Sequence, residues 1–336
     1  MSMVDSFEPI GDAAARVVEK ISPLGPVEKV NITSREQWLD VRRGFVTASD
    51  IGSLCGVGRR SPLAIWGEKT GRMDASADNA AMKKGRWFEP AIFQAIAETQ
   101  PDWAVQRAGV FLAAKSHRLG ATPDAVASVP GIDGLVIVQG KVVGRPQFRE
   151  KWLTDPDDDA SPALVPLEYQ LQTITESMLA GAVTAYVAAL VHDTYSADLY
   201  LIPVERHAGA ERKIIERVDA FWADTDAGRE PSIIPEKDAS VVRALYPKDD
   251  GTEIDLSGDN ELPDLIAQHE FLTDSLKESK KRKDAVDTQI KAKIGNASSA
   301  KGPGGRVITH KIQERGGYTV KPTMFRQLRI GKEKSI

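Results

Sequence analysis

The chain has 336 residues, 44 Lys plus Arg against 48 Asp plus Glu, a net charge of −4 and 41% apolar residues, which suits one large globular domain or two smaller ones. Cys55 is the only cysteine, which excludes an intrachain disulfide and a thiolate metal site and fits a reducing cytoplasm. No apolar run is long enough to span a bilayer and the first residues do not read as a signal peptide, so a cytoplasmic protein with no membrane contact is expected.

Residues 1–30 read as a peripheral segment, with a short helix over Asp12–Ile21 ended by Pro23, Gly25 and Pro26. Ser34-Arg35-Glu36-Gln37 is a capping box, so a helix starts at about Arg35 and ends in Arg42-Arg43-Gly44. Ser49 is placed to cap a second short helix, and Ser61-Pro62 opens a third that closes at Gly71. Arg42 and Arg43 either hold phosphate or form a surface pair at a helix end. Gly85-Arg86-Trp87-Phe88-Glu89-Pro90 opens a longer helix, in which Phe88, Ile92 and Ile96 recur every four residues on one face. Glu89 then falls in the first turn, where a carboxylate either favours the helix dipole or serves a metal.

Trp103–Ala113 reads as a strand and Arg118–Ala127 as its neighbour, with His117 a structural residue between them. Leu119 to Lys141 reads as a β-hairpin. Pro123-Asp124 lies on the first arm, Pro130, Gly131, Asp133 and Gly134 make the turn, and Leu135–Val138 is a buried strand ending in Gln139-Gly140-Lys141. Gln139 and Lys141 are two apart and share a face. That is the P-D…(E/Q)-x-K pattern of metal-dependent nucleases, in which oxygen ligands hold Mg²⁺ and a nearby Lys assists a water attacking a phosphodiester. By itself the pattern also fits a turn Asp and a surface Lys at a strand end.

The acidic run Asp155–Asp159, flanked by Pro156 and Pro162, reads as a solvated loop. A helix follows from Glu168-Tyr169-Gln170-Leu171-Gln172 to about Leu179, then strands over Tyr186–Val191 and Leu199–Val204, then a helix over Ala210–Asp226. Residues 229–260 look like a linker. Beyond it Leu262, Leu265, Ile266, Leu272 and Leu276 keep roughly heptad spacing, which lapses over a basic middle and returns at Val286, Ile290 and Ile294. Arg306–Ile312 and Phe325–Ile330 could pair as small strands. From Ser275 to Ile336 there are 16 Lys plus Arg and 5 Asp plus Glu, against 28 and 43 in the remainder. A basic tail on an acidic body suits a polyanion partner or a solvated helix.

Arg42-Arg43-Gly44 with Thr47-Ala48-Ser49, Gly85–Pro90, Ala121-Thr122-Pro123-Asp124, Gln139-Gly140-Lys141 and Tyr169-Gln170-Leu171-Gln172 occur in an order that resembles the YqaJ-like viral recombinase family, which includes the phage lambda exonuclease. The resemblance covers about Trp38 to Trp222. It implies an α/β restriction-endonuclease-like core of the PD-(D/E)xK superfamily over residues 31–235. A linker over 236–260 and a C-terminal basic helix with a small β tail over 261–336 follow. It implies an enzyme that digests linear double-stranded DNA from its ends, 5′ to 3′, leaving 3′ single strands for recombination. Mg²⁺ is the implied metal, with Mn²⁺ as substitute, a single-strand annealing protein the implied partner, and a ring-shaped trimer the implied assembly. Asp124 would be the central metal ligand, with Glu89, Gln139 and the Gly140 carbonyl beside it. Lys141 would hold the attacking water, Gln170 would orient groups around the metal, and Arg42, Arg43, Thr47 and Ser49 would contact DNA phosphates. Gln139 departs from the usual Glu and supplies a neutral oxygen where Mg²⁺ prefers a charged one. The alternative is therefore a weakened or inactive DNA-end binding protein of the same fold.

Overall fold

The computed structural model describes residues 24–74, 80–317 and 325–331. The predicted helix over Asp12–Ile21 lies outside them. Two compact units divide the chain between Leu245 and Tyr246. Among the described residues no helix is long and apolar enough to cross a membrane.

The first unit is α/β, with two mixed sheets flanked by helices. β1 (Glu28–Asn31), β4 (Val110–Ala114), β5 (Leu119–Ala121) and β2 (Val46–Thr47) form a four-stranded sheet in that order. β3 (Ala104–Arg107), β6 (Ala125–Ser128), β7 (Val136–Gly144), β8 (Thr184–His192) and β9 (Ala197–Glu205) form a five-stranded sheet in that order. β7 and β8 run parallel over their full nine residues, and the other neighbours in this sheet are antiparallel. Alternation along β7 explains its two-sided burial. Val136 and Val138 pack with Ile92 and Ile96 of helix α4 (Ala80–Thr99), whereas Ile137 and Val143 join the core that holds Ile174 and Met178 of α6 (Leu167–Ala180). α6 ends where Gly181 takes φ 67°, a left-handed cap that a side chain resists.

Helix starts follow their capping chemistry. Ser34 accepts from the Gln37 N–H and opens α1 (Arg35–Arg43). α2 (Ala48–Leu54) starts at Thr47 rather than at Ser49, because the Asp50 carboxylate accepts from both the Thr47 N–H and its hydroxyl. Ser61 caps α3 (Pro62–Lys69) as expected. α4 begins at Ala80, before Gly85, so Glu89 sits mid-helix rather than in a first turn.

The strands over 103–127 differ from the sequence reading. Each predicted strand is two strands in two different sheets: β3 and β4 on one arm, β5 and β6 on the other. The chain bends at Gly109, where φ is 60°, and at Pro123-Asp124. The Ala108 N–H donates to the Asp124 carbonyl at 3.2 Å and ties the bends together. Two apolar runs each interrupted by one polar step look continuous to a period-two count.

α5 (Arg145–Trp152), α7 (Ala208–Asp226) and α8 (Pro235–Leu245) complete the unit. α8 lies in the stretch read as a linker: Pro235 starts it, the Asp238 carboxylate accepts from the Ile234 N–H at 2.7 Å, and Val241 is buried. Residues 24–31 are not peripheral either, since Leu24 is fully buried and β1 pairs with β4. The second unit holds α9 (Leu262–Ile294) and a hairpin of β10 (Ser299–Lys301) with β11 (Val307–Thr309). The 306–312 strand thus pairs with the segment just before it, a short local turn, and Phe325–Ile330 forms no strand.

Gly120 packs directly against the Phe111 ring, which a Cβ there would overlap. Gly120→Ala is expected to lower unfolding stability by about 1–3 kcal/mol, read as a reduced denaturant midpoint. An unchanged midpoint would show that the sheet opens freely at this point.

Candidate active site

β6 accompanies β7 only as far as the pair Ala125↔Val138. At Asp124 the chain leaves for the other sheet, so from Gln139 onward β7 has no strand on that side. Backbone N–H groups there need other acceptors. The Asp124 carboxylate supplies one: its Oδ2 accepts from the Gly140 N–H at 2.9 Å and from Gln139 Nε2 at 2.5 Å. A Cβ on Gly140 would lie 3.0 Å from Ile92 Cδ1 and 3.6 Å from Asp124 Oδ2, so a glycine here lets α4 and Asp124 come close.

Lys141, two residues along, donates from Nζ to Gln172 Oε1 at 3.1 Å and lies 4.8 Å from the Tyr169 ring centroid. Gln172 Nε2 donates in turn to Glu176 Oε1 at 2.9 Å. Tyr169, Gln172 and Glu176 are spaced three and four apart and share one face of α6. Gln170 is turned about 100° from that face: it donates to the Val165 carbonyl at 2.6 Å and does not line the cavity. The glutamine beside Lys141 is therefore Gln172. Glu176 went unread in the sequence, although its i+4 spacing from Gln172 is the signal that finds it.

Asp124, Gln139, Gly140, Lys141 and Tyr169 line a cavity of about 880 Å³, which Gln172 joins only through its bond to Lys141. Glu89 reaches it from α4 and pairs with Arg107 of β3. Its walls carry Arg35, Arg59, Lys84 and Arg86, which with Lys141 make five cations against the two carboxylates Glu89 and Asp124. An acidic protein thus presents a cationic cavity, a setting that attracts polyanions.

Burial raises the Asp124 carboxyl from 3.8 to about 6; the Lys141 ammonium opposes this, and the Glu89 charge adds to it. Burial also raises Glu176 to about 8, with the Asp124 charge contributing. Gln139 Oε1 and Glu176 Oε2 are buried without a hydrogen-bond partner among the described residues. Carboxylates deprived of water, and an orphaned amide oxygen, suit a hard divalent cation. The residues fit such an ion: Asp124 and Glu89 offer carboxylates and Gln139 an unused oxygen. Among the described residues there is no group of three His, Cys, Asp or Glu side chains able to hold a metal, so the donor set depends on the amide.

The other predicted contact residues form a neighbouring network. Arg42 donates to Thr47 Oγ1 at 3.0 Å and to Ser49 Oγ at 3.1 Å, and stacks 4.3 Å from the ring centroid of Trp38, a cavity residue. Asp50 anchors the network with Lys69 at 3.1 Å and Arg60 at 3.5 Å. Burial alone would raise the Asp50 carboxyl, but the charges of Lys69, Arg42 and Arg60 outweigh it and hold it at about 2. Arg43 is exposed and pairs with Asp40 at 3.2 Å.

Residues 37–183 match the YqaJ-like viral recombinase domain family, the family that the sequence motifs resemble. Every residue of the Asp124–Lys141–Glu176 cluster lies in that stretch. Among solved structures, the chain is similar to an alkaline exonuclease, LHK-Exo, from Laribacter hongkongensis, with 18% identity over 57% of this chain and 93% of that one and a TM-score of 0.44. It is similar to LHK-Exo in complex with dAMP at 20% identity over 57% and 93%, with a TM-score of 0.46. No curated protein matches the chain.

A carboxyl whose pKa is raised in the folded state stabilises the fold fully below its unfolded pKa, and that contribution is lost as pH rises through the folded value. For Asp124 the window runs from 3.8 to about 6. In chelated buffer Asp124→Asn is therefore expected to raise stability at pH 8 by up to about 3 kcal/mol and to change little at pH 4. Thermal melts at both values check this; equal melting shifts at pH 4 and 8 would contradict it.

Proposed function

We propose that this chain is a metal-dependent exonuclease that hydrolyses linear double-stranded DNA from its ends. The observation that carries the reading is the Asp124–Gly140–Lys141 arrangement in a cationic cavity, inside the stretch that matches the YqaJ-like domain. The family resemblance further supports 5′ to 3′ digestion, a 3′ single-stranded product for recombination, a single-strand annealing partner and a ring-shaped trimer.

Asp124, Glu89 and Gln139 Oε1 would hold Mg²⁺ or Mn²⁺. When bound, the cation supplies positive charge that polarises the phosphate and favours ionisation of water. The chain's own residues do the rest. Asp124 is held in place by the Gly140 N–H, so its carboxylate is preorganised. Lys141, aimed by Gln172 and Tyr169, places an ammonium where charge develops as the phosphodiester is attacked. Arg35, Arg59, Lys84 and Arg86 draw in the backbone phosphates.

A second reading, a DNA-end binding protein without the reaction, is favoured by one observation: the Gln139 amide donates to Asp124 where the usual Glu would add charge. Incubation of end-labelled linear duplex and closed circular duplex with Mg²⁺ separates the readings. Loss of the linear duplex alone supports an exonuclease, cutting of the circle an endonuclease, and retention of both with end binding the second reading.

Lys141→Ala is expected to slow cleavage by about 10²–10³-fold while leaving the circular dichroism spectrum and DNA binding intact; near-normal turnover would remove Lys141 from the reaction. Gln139→Glu is expected to lower the Mg²⁺ concentration for half-maximal cleavage, since a charged oxygen replaces a neutral one beside the ion. Activity that appears only in Gln139→Glu would establish the binding protein for this chain.

A further inference from the structure

The second unit carries an apolar seam that no other described residue of that unit covers. Leu265, Leu272, Leu276, Val286 and Ile290 fall on the a and d positions of one heptad register along α9 and are between 38% and 72% exposed. The helix has 33 residues, so the seam runs along a rod of about 50 Å. Isolated helices draw little stability from propensity and most from a packed face. This face therefore calls for a protein partner; duplex phosphates would leave the leucines in water.

Charge along the same helix selects the partner. Residues 262–276 carry Asp264, Glu270 and Asp274 and no Lys or Arg, whereas residues 277–294 carry seven Lys plus Arg against three acids. Two of the seven are paired within the helix, Arg282 with Glu278 at 3.1 Å and Lys283 with Asp287 at 2.6 Å. Lys277, Lys280, Lys281, Lys291 and Lys293 form no ion pair among the described residues. Tyr246–Glu261, just before the helix, adds six acids and one Lys. A second α9 laid parallel and in register would set basic half against basic half and Lys283 against Lys283. Laid antiparallel, it sets each acidic half beside a basic half.

We infer that α9 pairs antiparallel with α9 of a second copy of this chain, through the seam from Leu265 to Ile290. The register that opposes a with d positions throughout places Leu265 on Ile290, His269 on Val286, Leu272 on Lys283 and Leu276 on Ser279. It also brings Asp264 level with Lys291 and Asp274 level with Lys281. The contact is isologous and closes on two copies, so it joins one ring-shaped trimer to another and does not build the ring itself. His269, Ser279 and Lys283 interrupt the seam and limit it to one register, as polar core positions do in helical pairs.

The test uses two full-length chains in a Cys55→Ser background, one with Leu265→Cys and one with Ile290→Cys, mixed and oxidised without DNA. The expected result is a disulfide-linked pair containing one chain of each kind, and no linked pair from either chain alone. Adding Leu272→Asp with Leu276→Asp to both chains is expected to abolish the link. Three results would overturn the inference: self-linking of the Leu265→Cys chain, which means parallel pairing; linkage only when duplex DNA is added, which means a shared polyanion; and no linkage in the mixture.

Discussion

The first unit depends on one bend, the point where β6 abandons β7. Three residues of pairing bring the strands together, and Asp124 then carries the chain to another sheet. The departure strips the Gly140 N–H of a strand partner, and the Asp124 carboxylate replaces it at 2.9 Å. A buried amide would otherwise lose the equivalent of a hydrogen bond. Strand opening, carboxylate placement and cavity follow from this one substitution of side chain for backbone. Trp38 Nε1 donates to Thr122 Oγ1 at 3.2 Å and fixes α1 beside the bend.

Electrostatics then set the character of the opening. Asp124 and Glu176 sit where water is scarce, so their charged forms are disfavoured. The surrounding wall is cationic, and its arginines and lysines carry positive charge but cannot ligate a metal. Two kinds of charge are thereby separated in space: carboxylates at the floor and cations around it. Asp50 supports the adjoining wall by the opposite means, a carboxylate kept ionised by three cations.

Much of the site was legible because its chemistry is local. Pro123-Asp124, the turn and Gln139-Gly140-Lys141 lie within one hairpin, so spacing and alternation place Gln139 and Lys141 on one face without further knowledge of the fold. Ser34 and Ser61 likewise announced helix starts through backbone chemistry carried by a few neighbouring residues. What failed to show depended on distant partners. A strand count cannot tell that Val110 and Val105 belong to different sheets, because each pairs with a separate segment. Arg42 looked available for phosphate, whereas Thr47, Ser49 and Trp38 engage it. The choice between Gln170 and Gln172 needed only the helical period anchored at Tyr169, which the motif alone did not supply.

The central claim is that Asp124 anchors a divalent cation beside Lys141. Electron paramagnetic resonance of Mn²⁺ titrated into the protein measures this directly, without any need for turnover. The account expects a saturable Mn²⁺ site that disappears in Asp124→Asn, weakens in Glu89→Gln, and is displaced by Mg²⁺. Mn²⁺ binding that persists unchanged in Asp124→Asn, or no saturable binding in the unaltered chain, would contradict it.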